Sequence, residues 1–461
     1  MGNTLSAYHV TPTEVDLGNA GKIKGVQFDT KARRYAGVPY ALPPIRDLRW
    51  RKPSPLPTSN SYSTADGAPF DATKFSPICF QPNYASSVKK AVSQHTYSED
   101  CLRLNIWTPV PDGNKKVPVM VWLHGGWFQM GDPSQEIGMD PTELISTGKL
   151  NAIVVAVGYR LNVFGFLAGD ALTEESPTGV CGNYGLWDQR LAMEWVYKNI
   201  SSFGGDPENI TLAGRSAGAF AVQAQAIYDF RTTPSQLFRR LVMFSNAIPA
   251  QPKTVTECRD QFDELCAHFG ISKTFSASET LKSLREISAE DLTSAIMTLK
   301  HHTFRPVTEN EFIQLGLIEY VRDGSFATEF KKRGLKLLIG EVLNEETLYA
   351  VTNGPKDAKI EALETQVSNY YAPSTTSRVL QHYDLPSSNA VADWQSLFGR
   401  IISDGQVRAP LRFLANSLLT HDVPVQDVWR YCIQYRLSFI TEDVAPASFG
   451  VSHAMDKPFW K

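Results

Sequence analysis

The chain is 461 residues long, 43% hydrophobic and 11% aromatic, with a net charge of −3. That length and apolar content supply a large core, and the near-neutral balance gives no electrostatic reason to expect nucleic acid or an acidic membrane surface. No apolar run reaches the roughly 18 residues of a spanning helix, and six cysteines are too few for a disulfide scaffold.

From the N-terminus, Met1–His9 lacks the basic and apolar regions of a signal peptide. A cytoplasmic protein is therefore expected, or a secreted one if a leader is missing. Gly2 with Ser6 matches the N-myristoylation pattern; a plain start is the expected reading, since one acyl chain gives only marginal membrane binding. No cysteines form a C-x-x-C unit, and the pair His301-His302 has no partners at ligand spacing, so neither a metal nor a cofactor is expected.

Further along, strand-length apolar runs recur at Val117–Leu123, Ala152–Tyr159, Ile210–Ala213, Arg240–Ser245, Leu335–Gly340 and Asp427–Tyr435. Such runs suit strands covered on both faces. The clearest helix between them spans Leu186–Ile200, with Trp187, Leu191, Trp195 and Ile200 on an apolar stripe and Gln189, Arg190, Glu194 and Lys198 on the polar one. Alternating strands and helices predict a mostly parallel central α/β sheet flanked by helices. Helical, charge-bearing segments over about 254–331 and 356–418 read as insertions above the sheet's C-terminal edge, where open α/β sheets carry their sites. No linker separates them, so residues 8–461 are expected to form one composite domain.

Two segments carry chemistry. Gly214-Arg215-Ser216-Ala217-Gly218 follows an apolar strand and opens a helix rich in small residues, the context of a nucleophile elbow. His124-Gly125-Gly126-Trp127-Phe128 ends another strand and can turn backbone N–H groups toward an anion. It pairs naturally with the N–H of Ala217, the residue after the serine, as an oxyanion cradle. A serine at an elbow also needs a base, and the base needs an orienting acid.

With these in place, the chain resembles the type-B carboxylesterases, the α/β-hydrolase family that includes cholinesterases and some fungal lipases. The resemblance runs nearly end to end, through Tyr35–Pro44, Leu48-Arg49-Trp50, Ser98–Asn105, Gly158-Tyr159-Arg160, Phe164–Leu167, Asn183–Gln189 and Phe203–Pro207. It implies an α/β-hydrolase fold with helical insertions over the active-site edge. It also implies a serine hydrolase that cleaves small to medium carboxylic esters through an acyl-enzyme. Ser216 would be the nucleophile, Glu345 the acid and His453, in Gly450-Val-Ser-His453, the base. Glu341 and Glu346 lie near Glu345, which is preferred on register. The oxyanion donors would be the N–H groups of Gly126, Trp127 and Ala217, and Ser245 matches a buried serine near the acid. The family further implies salt bridges Arg49–Glu99 and Arg160–Asp188, an acidic residue at Asp456, and disulfides Cys79–Cys101 and Cys258–Cys266, with Cys181 and Cys432 free. The small-molecule ester is the one partner implied; oligomeric state is left open.

Several positions depart from the family. Arg215 stands where relatives often carry glutamate, and Trp127 replaces the third glycine of the oxyanion loop. The segment between Cys79 and Cys101 is short and polar, which predicts a surface loop rather than a lipase lid. Lys461 lies eight residues after His453, where relatives continue through further strand and helix, so the C-terminal part of the fold is expected to be truncated. The alternatives are a catalytically silent, cholinesterase-like binding protein and an acyltransferase using the same three residues.

Overall fold

The computed structural model describes residues 8–82, 96–113, 115–134, 140–232, 236–442 and 445–457. Apolar, β-branched runs become strands at its centre. The eleven strands are β1 (Val10–Asp16), β2 (Lys22–Phe28), β3 (Ala32–Pro39), β4 (Phe70–Asp71), β5 (Arg103–Pro109), β6 (Val117–Leu123), β7 (Ile153–Val157), β8 (Gly205–Arg215), β9 (Arg240–Phe244), β10 (Lys336–Val342) and β11 (Val428–Ile433). They form one sheet in the order β1-β2-β3-β5-β7-β6-β8-β9-β10-β11, with β4 beside β2.

The half from β7 to β11 is parallel. Parallel strands need crossovers that cover the faces, and β7 is accordingly buried at all five positions. All six apolar runs noted in the sequence become these strands, and β6 has the expected bounds. The antiparallel half was not foreseen. β1 buries only Val15 and carries Pro12, which an edge strand tolerates because its N–H side can face solvent. Its polar alternation leaves little for a pattern search to find.

The helix Tyr184–Asn199 corrects the expected polar stripe. Gln189 and Arg190 are buried, while Trp187 and Leu191 are only partly so. Charge pairing drives this. Arg190 reaches Asp229 at 3.0 Å, and Asp188, two residues earlier, takes both Nε and Nη2 of Arg160 at 2.8 and 2.7 Å. Arg49 likewise grips Glu99 with two bonds of 2.7 and 2.6 Å.

The first inserted region contains the helices Arg259–His268, Ala277–Glu286, Ala289–Ile296 and Leu317–Arg322, followed by Ser325–Lys332 at its boundary. Ser276 and Glu279 form a reciprocal cap on the second of these. The second region contains Ile360–Ser368, Pro373–Leu380, Val391–Ser403 and Ala409–Thr420. Helix Val391–Ser403 crosses helix Glu346–Asn353 so closely that a Cβ on Gly399 would lie 2.5 Å from the Glu346 carbonyl oxygen. The second insertion thus covers the chain just beyond β10, at the sheet's C-terminal edge. No helix among the described residues is long and apolar enough to cross a membrane.

Cys79 and Cys101 form a disulfide with Cα atoms 5.0 Å apart. The expected Cys258–Cys266 bridge is absent; both are buried free thiols. Helix Arg259–His268 runs between them, and eight residues of helix span about 12 Å, beyond the roughly 7 Å limit for a disulfide. Burial pushes these thiols up, to about 12 for Cys258 and about 11 for Cys266. Gly2 and Ser6, the core of the Cys79–Cys101 loop at 83–95, and Lys461 lie outside the described residues.

The buried pair predicts a clear stability contrast. Asp188→Asn strands the Arg160 guanidinium and should cost about 3–5 kcal/mol in urea unfolding. Arg259→Ala, at the exposed pair with Asp170, should cost at most about 1 kcal/mol.

Candidate active site

β8 is buried along its last four residues and passes directly into helix Ala217–Thr232. Ser216 sits at the junction with φ of 54°, a left-handed conformation that costs a non-glycine residue about 1–3 kcal/mol unless its surroundings enforce it. They do. The Ser216 N–H donates to the Phe244 carbonyl at the end of β9, 2.7 Å away, and its own carbonyl accepts from Phe220 at 3.1 Å. Gly218 permits the tight turn, since a Cβ there would collide with the Leu123 carbonyl oxygen at the end of β6.

The loop after β6 presses on this elbow. A Cβ on Gly125 would lie 2.7 Å from the Arg215 carbonyl oxygen. Gly126, Trp127 and Phe128 follow at φ of 118°, 57° and 65°, reversing the chain so that the Gly126 carbonyl accepts from Gln129 and Met130 at 2.8 and 3.0 Å. Tyr159 anchors the loop by donating to the His124 carbonyl at 2.7 Å. Across from it, Ala217 opens its helix, where the first N–H groups have no intrahelical acceptor and the helix dipole favours negative charge.

Glu345 lies just past β10 and is fully buried. Its Oε2 meets His453 Nδ1 at 2.5 Å, and its Oε1 accepts from the Val342 N–H at 2.9 Å. The neighbouring carboxylates point elsewhere: Glu341 to Arg430 at 2.8 Å and Glu346 to Arg408 at 2.5 Å. Two hydrogen bonds between Asn344 and Val451, one through the Asn344 backbone and one through its side chain, hold the acid and histidine loops together. Asn344 N–H donates to the Val451 carbonyl at 2.9 Å, and Asn344 Oδ1 accepts from the Val451 N–H at 3.0 Å.

Tyr349 was not singled out in the sequence, yet it joins these parts. It lies close enough to Ser216 for that side chain to influence its ionisation, and its ring lies 5.2 Å from that of His453. Burial, then the charge of Glu345, raise its pKa well above the ordinary phenol value, so the hydroxyl stays protonated. The one available signal was its place four residues after Glu345, one helical turn on; an aromatic there otherwise reads as core.

Arg215 forms a buried ion pair with Asp456. The Tyr431 hydroxyl donates to the other carboxylate oxygen at 3.3 Å, and the guanidinium lies 5.3 Å from the Phe244 ring centre. The residue before the serine is therefore clamped to the third residue after His453. Ser245 is fully buried at the end of β9, with its N–H on the Gly340 carbonyl at 2.8 Å. Its hydroxyl finds no hydrogen-bond partner among the described residues, Glu345 included. No cluster that could hold a metal occurs among those residues.

A model of the carboxylesterase family matches residues 11–460. The chain belongs to the carboxylesterase family. An uncharacterized esterase/lipase of Schizosaccharomyces pombe is 41% identical over 93% of this chain and 79% of its own length. A carboxylic ester hydrolase of Gibberella moniliformis is 36% identical over 96% and 82%. The solved structure of PNB esterase superposes with a TM-score of 0.73 at 27% identity, covering 97% of this chain and 84% of that one. This carboxylesterase is thus a carboxylic ester hydrolase with an α/β-hydrolase fold, acting on small-molecule esters.

The Arg215–Asp456 pair gives a double-mutant test. Arg215→Met and Asp456→Leu should each cost about 3–5 kcal/mol of stability by orphaning a buried charge. The double variant should lose well under their sum. Thermal or urea unfolding of all four proteins checks this.

Proposed function

We propose that Ser216, Glu345 and His453 form the catalytic triad and that the substrates are small to medium carboxylic esters. With Nδ1 held by Glu345, His453 keeps Nε2 to take the Ser216 proton as the serine oxygen bonds to the ester carbonyl carbon. Charge developing on the carbonyl oxygen falls to the N–H groups of Gly126, Trp127 and Ala217. Collapse breaks the acyl–oxygen bond, and His453 returns the proton to the departing alcohol. Water then gives a proton to His453 and attacks the acyl-enzyme, releasing the acid and restoring Ser216.

The observation that carries this reading is the buried 2.5 Å contact of Glu345 with His453, in a site where Tyr349 touches both the histidine ring and an elbow serine. Glu345 fixes the imidazole tautomer and stabilises its cationic form. Tyr349 would hold the resting serine hydroxyl. Trp127 puts an indole where most relatives carry a glycine, which narrows the site and disfavours esters of bulky tertiary alcohols.

A fluorophosphonate probe should label the folded wild type and leave Ser216→Ala unlabelled. Glu345→Gln should lower kcat for a p-nitrophenyl ester by about 10⁴-fold. Equal labelling of wild type and Ser216→Ala, or near-normal turnover by Glu345→Gln, would remove the triad assignment.

A further inference from the structure

Buried arginines in this fold are paired with acids: Arg49 with Glu99, Arg160 with Asp188, Arg190 with Asp229 and Arg215 with Asp456. Arg305, which is partly exposed, has no such partner among the described residues. It lines a narrow cleft together with Lys253, Phe220, Tyr370, Tyr371 and Gln406. The wall contains two cationic side chains and no carboxylate. Arg305 donates to Gln406 Oε1 at 3.0 Å and lies 4.9 Å from the Tyr370 ring centre. Among the described residues no acid forms a salt bridge with Arg305 or Lys253. Glu257 is the carboxylate nearest in influence to Lys253, and it accepts from the Thr254 N–H instead. Burial lowers the pKa of both cations, so an incoming anion would relieve an existing cost.

Phe220 links the cleft wall to the proposed nucleophile. Phe220 lies one turn beyond Ser216 on the same helix, bonded to its carbonyl. Arg305 acts electrostatically on Tyr349, on which Ser216 also acts. Phe304, next to Arg305, donates its N–H to Gln129 Oε1 at 3.1 Å, and Gln129 is two residues past Trp127 in the oxyanion loop. The arginine is thus fixed to the frame that carries the cradle.

We infer that Arg305, assisted by Lys253, binds a free carboxylate on the substrate, so that the enzyme selects anionic esters such as half-esters of dicarboxylic acids. The inference rests on Ser216 being the nucleophile. A planar guanidinium braced by an amide and stacked on an aromatic ring presents its remaining N–H groups in the geometry that a carboxylate accepts. An ester carbonyl at Ser216 and a carboxylate a few bonds away would then be held at both ends.

The test compares mono(4-nitrophenyl) glutarate with its neutral methyl ester. Wild type should favour the anionic ester in kcat/KM at low salt, through KM, and the preference should shrink as ionic strength rises. Free glutarate should inhibit competitively, and glutaramide should not. Arg305→Met should lower the anionic-to-neutral kcat/KM ratio by about 10- to 100-fold, with Arg305→Lys in between. No anionic preference in wild type, or an unchanged ratio in Arg305→Met, overturns the inference. If the neutral ester still depends on Ser216 in that case, only the carboxylate site has failed. Turnover that survives Ser216→Ala would fail the nucleophile assignment itself.

Discussion

The site hangs on one backbone constraint, the left-handed conformation of Ser216 between β8 and its helix. A serine does not adopt it without support, and the support is distributed. The end of β9 accepts its N–H, the end of β6 leaves room only for glycine at 218, and the oxyanion loop packs against the turn through Gly125. Each contact exists because parallel strands end at one edge of the sheet. The strain is local, and the fold that maintains it is the whole parallel half.

The second constraint is that the proposed acid and base come from loops 108 residues apart in sequence. Glu345 and His453 meet because two Asn344–Val451 hydrogen bonds zip their loops together. The buried Arg215–Asp456 pair then fastens the histidine segment to the elbow. The pair is a buried ion pair that ties the residue before Ser216 to the segment after His453. Tyr349 closes the circle, touching Ser216 and His453 from the helix that follows the acid.

What was legible in the sequence follows the strength of each physical signal. β6 and the other five parallel strands announce themselves through strand-length apolar runs, although only β7 is buried at every position, while β6 alternates and β11 is largely exposed. The strand-to-helix turn at Ser216 and the loop after β6 are legible because their close backbone approaches require glycine at 125 and 218. The antiparallel strands were missed because β1, with one buried side chain and a proline, obeys weaker rules. The helix Tyr184–Asn199 was misread at Gln189 and Arg190, since periodicity treats polar residues as outward and cannot see Asp229 waiting inside. Cys258 and Cys266 were paired by resemblance, and a helix holds them apart. Arg305 has no local signature, and Tyr349 only its place one helical turn after Glu345; their meaning comes from neighbours distant in sequence.

The central claim, that this carboxylesterase acts through an acyl group on Ser216, is tested most directly by trapping that group. The enzyme would be mixed with a slowly deacylated p-nitrophenyl ester, quenched in acid and digested, and its peptides weighed. The account predicts a mass increase equal to the acyl group on the peptide containing Ser216, formed in step with a burst of p-nitrophenol. An adduct on another residue, or full turnover with no adduct and no burst under conditions where deacylation is slow, would contradict it.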